Sequence, residues 1–321
     1  MLAYAILAAG LGLLALGGET SMRGAIGLSN LFGFSPLLTG LLVVSVGATI
    51  PELSVALQAV AHAAPDIAIA SIVGENIFNM LAVLGLAAVI RVIPGPPKIV
   101  FRDGGTMLAA SLALILIASA GVVTRRTGIV LLLVCLMYLV LSFVTDWRRP
   151  VPQSLAQGRA RVRKGVPRME TSVMLLVFGL VCLYFGGRYT VDSAVAISRI
   201  AHMPETALGL TLIAVGVALP VLFTTFAASA RGLTNVVAGQ LINANVLNIL
   251  FVLGVTATVH PMSVPDSIAQ ADVYVAAASA GVVVAMMLPG WRITRGQGAV
   301  LLVCYLGYWG FLAWRQGLIR A

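Results

Sequence analysis

Two short segments concentrate the side chains that could do chemistry. The first reads Ser45-Val-Gly-Ala-Thr-Ile-Pro-Glu52 and the second Gly74-Glu-Asn-Ile-Phe-Asn79. Both lie within apolar stretches, where a polar group is costly and so a functional candidate by default. Gly47 and Pro51 loosen a helix just before Glu52 and leave backbone carbonyls free at membrane depth. Those carbonyls, the hydroxyls of Ser45 and Thr49 and the carboxylates of Glu52 and Glu75 are the oxygen ligands that hard cations such as calcium or sodium take. Glu75 and Asn79 are four residues apart and Asn76 and Asn79 three, a spacing that puts them on one helical face. The chemistry expected is cation binding. Against it stands a plainer reading, in which Asn76 and Asn245 are interhelical hydrogen-bond glue, Gly74, Gly85 and Gly254 are close-packing sites, and a carboxylate is a protonated structural group.

The elements that would hold these residues are membrane helices. The chain is 60% hydrophobic and only 10% charged, against roughly a quarter charged in soluble domains. A helix needs about 20 apolar residues to cross a bilayer. About ten stretches qualify: 2–20, 37–62, 67–91, 105–123, 127–145, 171–190, 205–230, 235–259, 269–289 and 297–316. They are too long for transmembrane β-strands, so the fold expected is all-α and integral to the membrane, with no room for a sizeable soluble domain. Met1 to Leu16 lacks a basic n-region and a cleavage site and reads as a retained first helix. Cys135, Cys182 and Cys304 read as buried filler, without metal or redox company. Asp66 and Asn235 read as helix N-caps, and His62 and Arg231 as span ends facing headgroups or water. The basic run Arg148, Arg149, Arg159, Arg161, Arg163, Lys164 and Arg168 reads as a cytoplasmic loop obeying the positive-inside rule, not as a nucleic-acid surface.

The sequence repeats itself at a fixed offset of 169 residues. Gly17-Gly18 matches Gly186-Gly187, Val46-Gly47 matches Val215-Gly216, Pro51 matches Pro220, Asn76 matches Asn245, Asn79 matches Asn248, and Asp103 matches Asp272. Leu132-Leu133-Val134-Cys135 matches Leu301-Leu302-Val303-Cys304. Each repeat holds five spans, an odd number, so the second enters the membrane with the opposite orientation, the inverted-repeat plan of secondary transporters. The expected division is a first five-helix repeat at 1–145, a basic cytoplasmic linker at 146–170 and an inverted repeat at 171–321, with the N-terminus outside. Glu19 aligns with Arg188, an exchange of sign that reads as structural or gating positions.

At the two polar segments the sequence resembles the cation/calcium antiporter superfamily, the sodium/calcium exchanger type in its compact prokaryotic form. The family pattern is roughly G-T-S-x-P-E followed by G-S-N-x-F-N. The first repeat reads Gly47-Ala-Thr-Ile-Pro-Glu52 and Gly74-Glu-Asn-Ile-Phe-Asn79; the second reads Gly216-Val-Ala-Leu-Pro-Val221 and Asn243-Ala-Asn-Val-Leu-Asn248. The resemblance implies ten spans in two inverted five-helix repeats. It also implies ion-ligand roles for Glu52, Thr49, Asn79 and Asn248, with Gly47, Pro51, Gly74, Gly216 and Pro220 shaping the helices around them. The second repeat departs from the pattern: Val221 replaces the carboxylate, Val217 and Ala218 the hydroxyl pair, and Ala244 a serine whose first-repeat counterpart is Glu75.

The function expected is a secondary active transporter, not an enzyme, that exchanges an inorganic cation for protons or sodium by alternating access in the plasma (inner) membrane. The candidate metal ligands are Glu52, Glu75, Asn79 and Asn248, with Thr49, Ser45, Asn76 and Asn245 around them. The transported ion (calcium, sodium or proton) is the ligand expected, with no cofactor; the partners are inorganic cations and the lipid bilayer. Two carboxylates close together would bind protons as a pair, which favours proton as the exchanged ion. The missing ligands of the second repeat also fit a family member that no longer transports and serves as a membrane scaffold. The three histidines stand at span ends, without the company an intramembrane enzyme would need.

Overall fold

A computed structural model describes residues 2–32, 46–146, 169–201, 203–230, 232, 234 and 237–316. With no water in a bilayer to satisfy main-chain N–H and C=O groups, each span must close its hydrogen bonds internally, and the described residues are helical almost throughout. In order the helices are α1 Leu2–Leu31, α2 Ile50–Ala61, α3 Pro65–Ile90, α4 Ile99–Ser119, α5 Arg125–Thr145, α6 Met169–Ala201, α7 Glu205–Ala230, α8 Val237–Val259, α9 Ile268–Met287 and α10 Arg295–Arg315. All but α2 are long and apolar enough to cross a membrane. The most apolar window of α3 is 100% buried and that of α10 only 22%, so α3 runs through the centre and α10 faces lipid. Leu116, Met174, Val303 and Leu306 point outward at about 70% exposure, as lipid-facing side chains should.

Three helices outrun their expected bounds for one physical reason. The expected spans stop at charges, but the charges are paired along or next to the helix. Glu19 and Arg23 bond at 2.6 Å one turn apart, and α1 continues to Leu31. At the matching positions Arg188 and Asp192 pair with the signs exchanged, at 3.6 Å, and α6 continues to Ala201. Arg102 grips Asp103 through two bonds of 2.6 and 3.0 Å, so α4 starts six residues before the expected 105. Asp66 is not an N-cap: Ala64 holds that place and Asp66 sits in the first turn of α3, where a carboxylate suits the helix dipole. His62 meets Asp192 of α6 at 3.5 Å, and Cys304 is exposed rather than buried. Asn235, Arg231, His202 and the basic run lie outside the described residues.

Glycines bring α1 and α6 into backbone contact along their length. A Cβ at Gly10 would meet Thr190, at Gly17 the carbonyl of Gly179 at 2.8 Å, and at Gly24 Leu176 and Ser172, while Gly186 returns the contact on Leu14. The seven-residue spacing keeps the small residues on one seam.

Two short ribbons settle the relation of the halves. β1 Ile93–Pro94, between α3 and α4, pairs antiparallel with β4 Arg292–Ile293, between α9 and α10. β2 Val122–Val123, between α4 and α5, pairs with β3 Met262–Ser263, between α8 and α9. At the repeat offset β1 corresponds to β3 and β2 to β4, so each ribbon joins non-equivalent loops. The α3–α4 loop of one half therefore shares a membrane face with the α4–α5-type loop of the other, which is what two halves of opposite orientation require. Arginine caps repeat the relation: Arg295 donates to the Ile90 carbonyl at the end of α3, and Arg125 to that of Val259 at the end of α8, both at 3.3 Å.

Candidate functional site

The site starts at a break. Val46 to Thr49 form a turn, with the Thr49 hydroxyl and main-chain N–H both donating to the Val46 carbonyl at 2.9 and 3.0 Å. Thr49 is the N-cap of α2, and Pro51, without an N–H to satisfy, falls in the first turn. Helix α2 thus begins inside the protein with Glu52 in that first turn, at the positive end of the helix dipole. Gly47 is the last helical residue before the break, and a Cβ there would meet nothing within 4 Å among the described residues. Ser45 falls outside the described residues. The second half differs: α7 passes through Gly216 and Pro220 without a break, so this half offers no free helix N-terminus at the equivalent place.

Facing α2 are Glu75, Asn76 and Asn79 of α3. Glu75 is the eleventh of the 26 residues of α3, and Asn248 the twelfth of the 23 of α8, so both stand near the membrane midplane. The carboxylates of Glu52 and Glu75 are within hydrogen-bonding reach of each other, and the amides of Asn79 and Asn248 both reach Glu75. Asn79 Nδ2 donates to Glu75 Oε1 at 3.4 Å and to Asn245 Oδ1 at 3.2 Å. Asn245 Nδ2 donates to the Asn76 carbonyl at 3.0 Å, and Asn248 Nδ2 to Asn76 Oδ1 at 3.1 Å. All six side chains are buried, Asn79 and Asn248 completely. Asn76 and Asn245 therefore do act as glue between α3 and α8, and that glue is part of the site's frame. Gly74 packs α3 on α7, a Cβ there falling 2.6 Å from the Leu210 carbonyl.

Asn79 and Asn248 both stand where the helix widens. A π-helical segment covers Phe78–Val83 on α3 and another covers Asn248–Val252 on α8. Such segments are frequent at functional sites, though others in this chain cover Ile99–Gly104, Gly209–Ile213 and Ile268–Asp272.

Three buried oxygens here have no hydrogen-bond partner among the described residues: Glu52 Oε2, Asn79 Oδ1 and Asn248 Oδ1. Buried acceptors are normally paired, and these three belong to the cluster of Glu52, Glu75 and the asparagines. The donor set is all oxygen. Oxygen donors are the kind a hard cation takes; among the described residues no group of three His, Cys, Asp or Glu comes together. The apolar replacements of the second half are packed away, Val217 and Ala218 buried and Val221 and Ala244 half-buried. The sequence reading passed over two buried carboxylates outside this site, Asp103 and Asp272, whose match at the repeat offset was the signal. Tyr138 donates to Asp103 at 3.1 Å, and Tyr308 to Asp272 at 2.9 Å with Arg315 beside it at 3.0 Å.

Residues 2–144 and 171–314 match the family model described as sodium/calcium exchanger protein. The chain is similar to inner membrane protein YrbG of Escherichia coli, 30% identical over 98% of this chain and 96% of that one. It is also similar to the sodium/calcium exchanger MaX1 of Methanosarcina acetivorans, 25% identical over 95% of this chain and 97% of the relative. A solved structure of the sodium-calcium exchanger NCX_Mj, soaked with sodium and strontium, shares the fold at a TM-score of 0.66 and 24% identity, covering 97% of this chain and 98% of that one.

Proposed function

Because the chain belongs to the sodium/calcium exchanger family, we propose that it exchanges an inorganic cation, calcium or another metal or alkali cation, for protons or sodium by alternating access. The observation that carries this reading is the contact of Glu52 with Glu75 beside the unpartnered oxygens of Glu52, Asn79 and Asn248. Two carboxylates and two amide oxygens make a site of about two negative charges, enough for one divalent cation, or for a monovalent cation and a proton. Its place at mid-depth, between halves of opposite orientation, supports access from either side in turn.

Proton is the favoured counter-ion. The hydroxyl positions of the second half hold Val217, Ala218 and Ala244, which removes oxygens that additional sodium ions would need, whereas the carboxylate pair takes protons without further ligands. In this reading 1–145 and 171–321 are the two moving halves, 146–170 is a cytoplasmic linker, and the N-terminus faces outward across an inner membrane.

The test is purified protein in liposomes with a trapped pH dye, challenged with calcium, sodium, potassium, magnesium and manganese, and repeated under a sodium gradient. Wild type is expected to couple at least one cation to proton or sodium movement, and Glu52→Gln and Glu75→Gln to abolish it. Flux that survives unchanged in Glu52→Gln overturns the assignment.

A further inference from the structure

Asn243 stands on α8 two residues before Asn245 but on the other side of the helix. At about 100° per residue their side chains are about 200° apart. While Asn245 and Asn248 face α3, the Asn243 amide meets the Tyr138 hydroxyl of α5. The same hydroxyl donates to Asp103 Oδ1 of α4 at 3.1 Å, and Arg102 grips both oxygens of that carboxylate, Nε on Oδ1 and Nη2 on Oδ2. A phenol has one proton to give, so the chain is complete when Tyr138 donates to Asp103 and the Asn243 amide turns its NH2 toward Tyr138.

The other half supplies an internal comparison. Asp272, which matches Asp103, forms a comparable cluster with Tyr308 and Arg315 between α9 and α10, Tyr308 standing one position beyond the match of Tyr138. The position on α3 that matches Asn243 is Gly74, which packs by its backbone on Leu210 of α7 and has no side chain to extend toward such a cluster. Among the described residues only α8, of the two helices carrying the asparagines, is tied by a chain of side-chain hydrogen bonds to the outer helices of the opposite half; α3 meets α10 instead through the rings of Phe78 and Tyr305.

We propose that Asn243, Tyr138 and Asp103 are positioning residues for cation binding, fixing the roll of α8 about its axis. The proposal rests on the site reading given above. Held from behind by Tyr138, α8 presents Asn245 Oδ1 to Asn79 and Asn248 Nδ2 to Asn76, and those bonds in turn aim the unpartnered Oδ1 atoms of Asn79 and Asn248. Release of the clamp lets α8 roll, and the amide oxygens lose their common focus without any ligand being removed. The departure of Asn243 from the glycine of the first repeat is then a specific adaptation of a half that has lost its charged ligands.

The experiment is thermal unfolding of the purified full chain, titrated separately with calcium, sodium, magnesium and manganese, so that the ligand-dependent rise in Tm gives an apparent dissociation constant. Asn243→Ala and Tyr138→Phe are expected to raise that constant roughly three- to tenfold, the range one hydrogen bond commands. The double variant is expected to rise no further than either single one, because the two residues act through one bond. Tyr308→Phe, which breaks the comparable cluster of the other half, is the control: it is expected to lower the ligand-free Tm and leave the constant unchanged. An unchanged constant in Tyr138→Phe and Asn243→Ala overturns the proposal, as do additive effects or an equal shift in Tyr308→Phe. If no cation stabilises the wild type, the site reading fails and this inference with it. If wild type binds and the variants match it, only the clamp fails.

Discussion

Glu52 on α2 and Glu75 on α3 bring their carboxylates within hydrogen-bonding reach of each other, although both belong to the same half of a repeated chain. Their counterparts at the repeat offset are Val221 and Ala244. Symmetry alone would have put one charge on each side of the pseudo-two-fold axis. Here the first half supplies both charges and the second supplies amides, Asn245 and Asn248. Like charges in contact at membrane depth persist only with a cation or proton between them, which is what the exchange proposed above would supply.

Removing either carboxylate should therefore weaken cation binding more than removing an amide. A hydrogen bond or ligand contact to a charged group contributes about 1.5–3 kcal/mol, against about 1 kcal/mol for a neutral one. Glu75→Gln and Glu52→Gln are expected to raise the dissociation constant for a divalent cation by roughly ten- to a hundredfold, and Asn79→Ala by less. Isothermal titration in detergent checks the order; an Asn79→Ala loss exceeding both glutamine variants contradicts it.

Protons and metal cations compete for the same carboxylate oxygens, which fixes the sign of the pH dependence. Lowering pH on the cation-loading side should raise the concentration that half-saturates uptake and leave the rate at excess cation unchanged. Initial rates of calcium uptake across a series of external pH values give both quantities. In Glu75→Gln, where one competing site is gone, any residual uptake should depend less steeply on pH.

The helical fold and the inverted repeat were legible because both are periodic. Twenty-residue apolar runs and an ungapped offset through glycines, prolines and asparagines need no tertiary information. Span ends were misread at Glu19, Arg188 and Asp103 because a charge looks like a boundary until its partner is known, and Arg23, Asp192 and Arg102 are partners that only geometry reveals. Spacing put Glu75, Asn76 and Asn79 on one face. That Glu75 turns toward Glu52, and that α7 runs unbroken through Pro220 while α2 begins beside Pro51, depends on contacts between helices, which no local pattern encodes. Asn243 was visible only as a departure from glycine; its partners Tyr138 and Asp103 lie 105 and 140 residues away.

The α1–α6 seam makes a contrast between two glycines of one helix. A Cβ on Gly17 would fall 2.8 Å from the Gly179 carbonyl and from the Leu183 main-chain nitrogen, whereas one on Gly12 meets nothing within 4 Å. Neither backbone atom can swing aside. Gly17→Leu should cost at least the 1–3 kcal/mol typical of overpacking and lower Tm by several degrees, and Gly12→Leu should leave it within a degree or two. Size-exclusion profiles after heating detergent extracts decide between them; equal Tm values for the two variants would mean that α1 and α6 do not pack along this face.

Two arginine–aspartate pairs should differ in what they contribute. Arg315 donates to Asp272 Oδ2 at 3.0 Å, with the Asp272 side chain fully buried and that of Arg315 only 19% exposed. Breaking the pair from the arginine side leaves a buried carboxylate held by Tyr308 alone, a loss of about 3 kcal/mol or more. Arg188 and Asp192 are 3.6 Å apart with nearly half of each side chain exposed, and His62 is a second, looser partner. Such a pair contributes between zero and about 1 kcal/mol. Arg315→Leu is therefore expected to lower Tm markedly and Asp192→Asn hardly at all, measured side by side in the same detergent and salt. Raising the ionic strength sharpens the distinction, because screening weakens the exposed pair and leaves the buried one nearly untouched. A large salt-sensitive loss in Asp192→Asn would show instead that the outer ends of α2 and α6 are held together by charge.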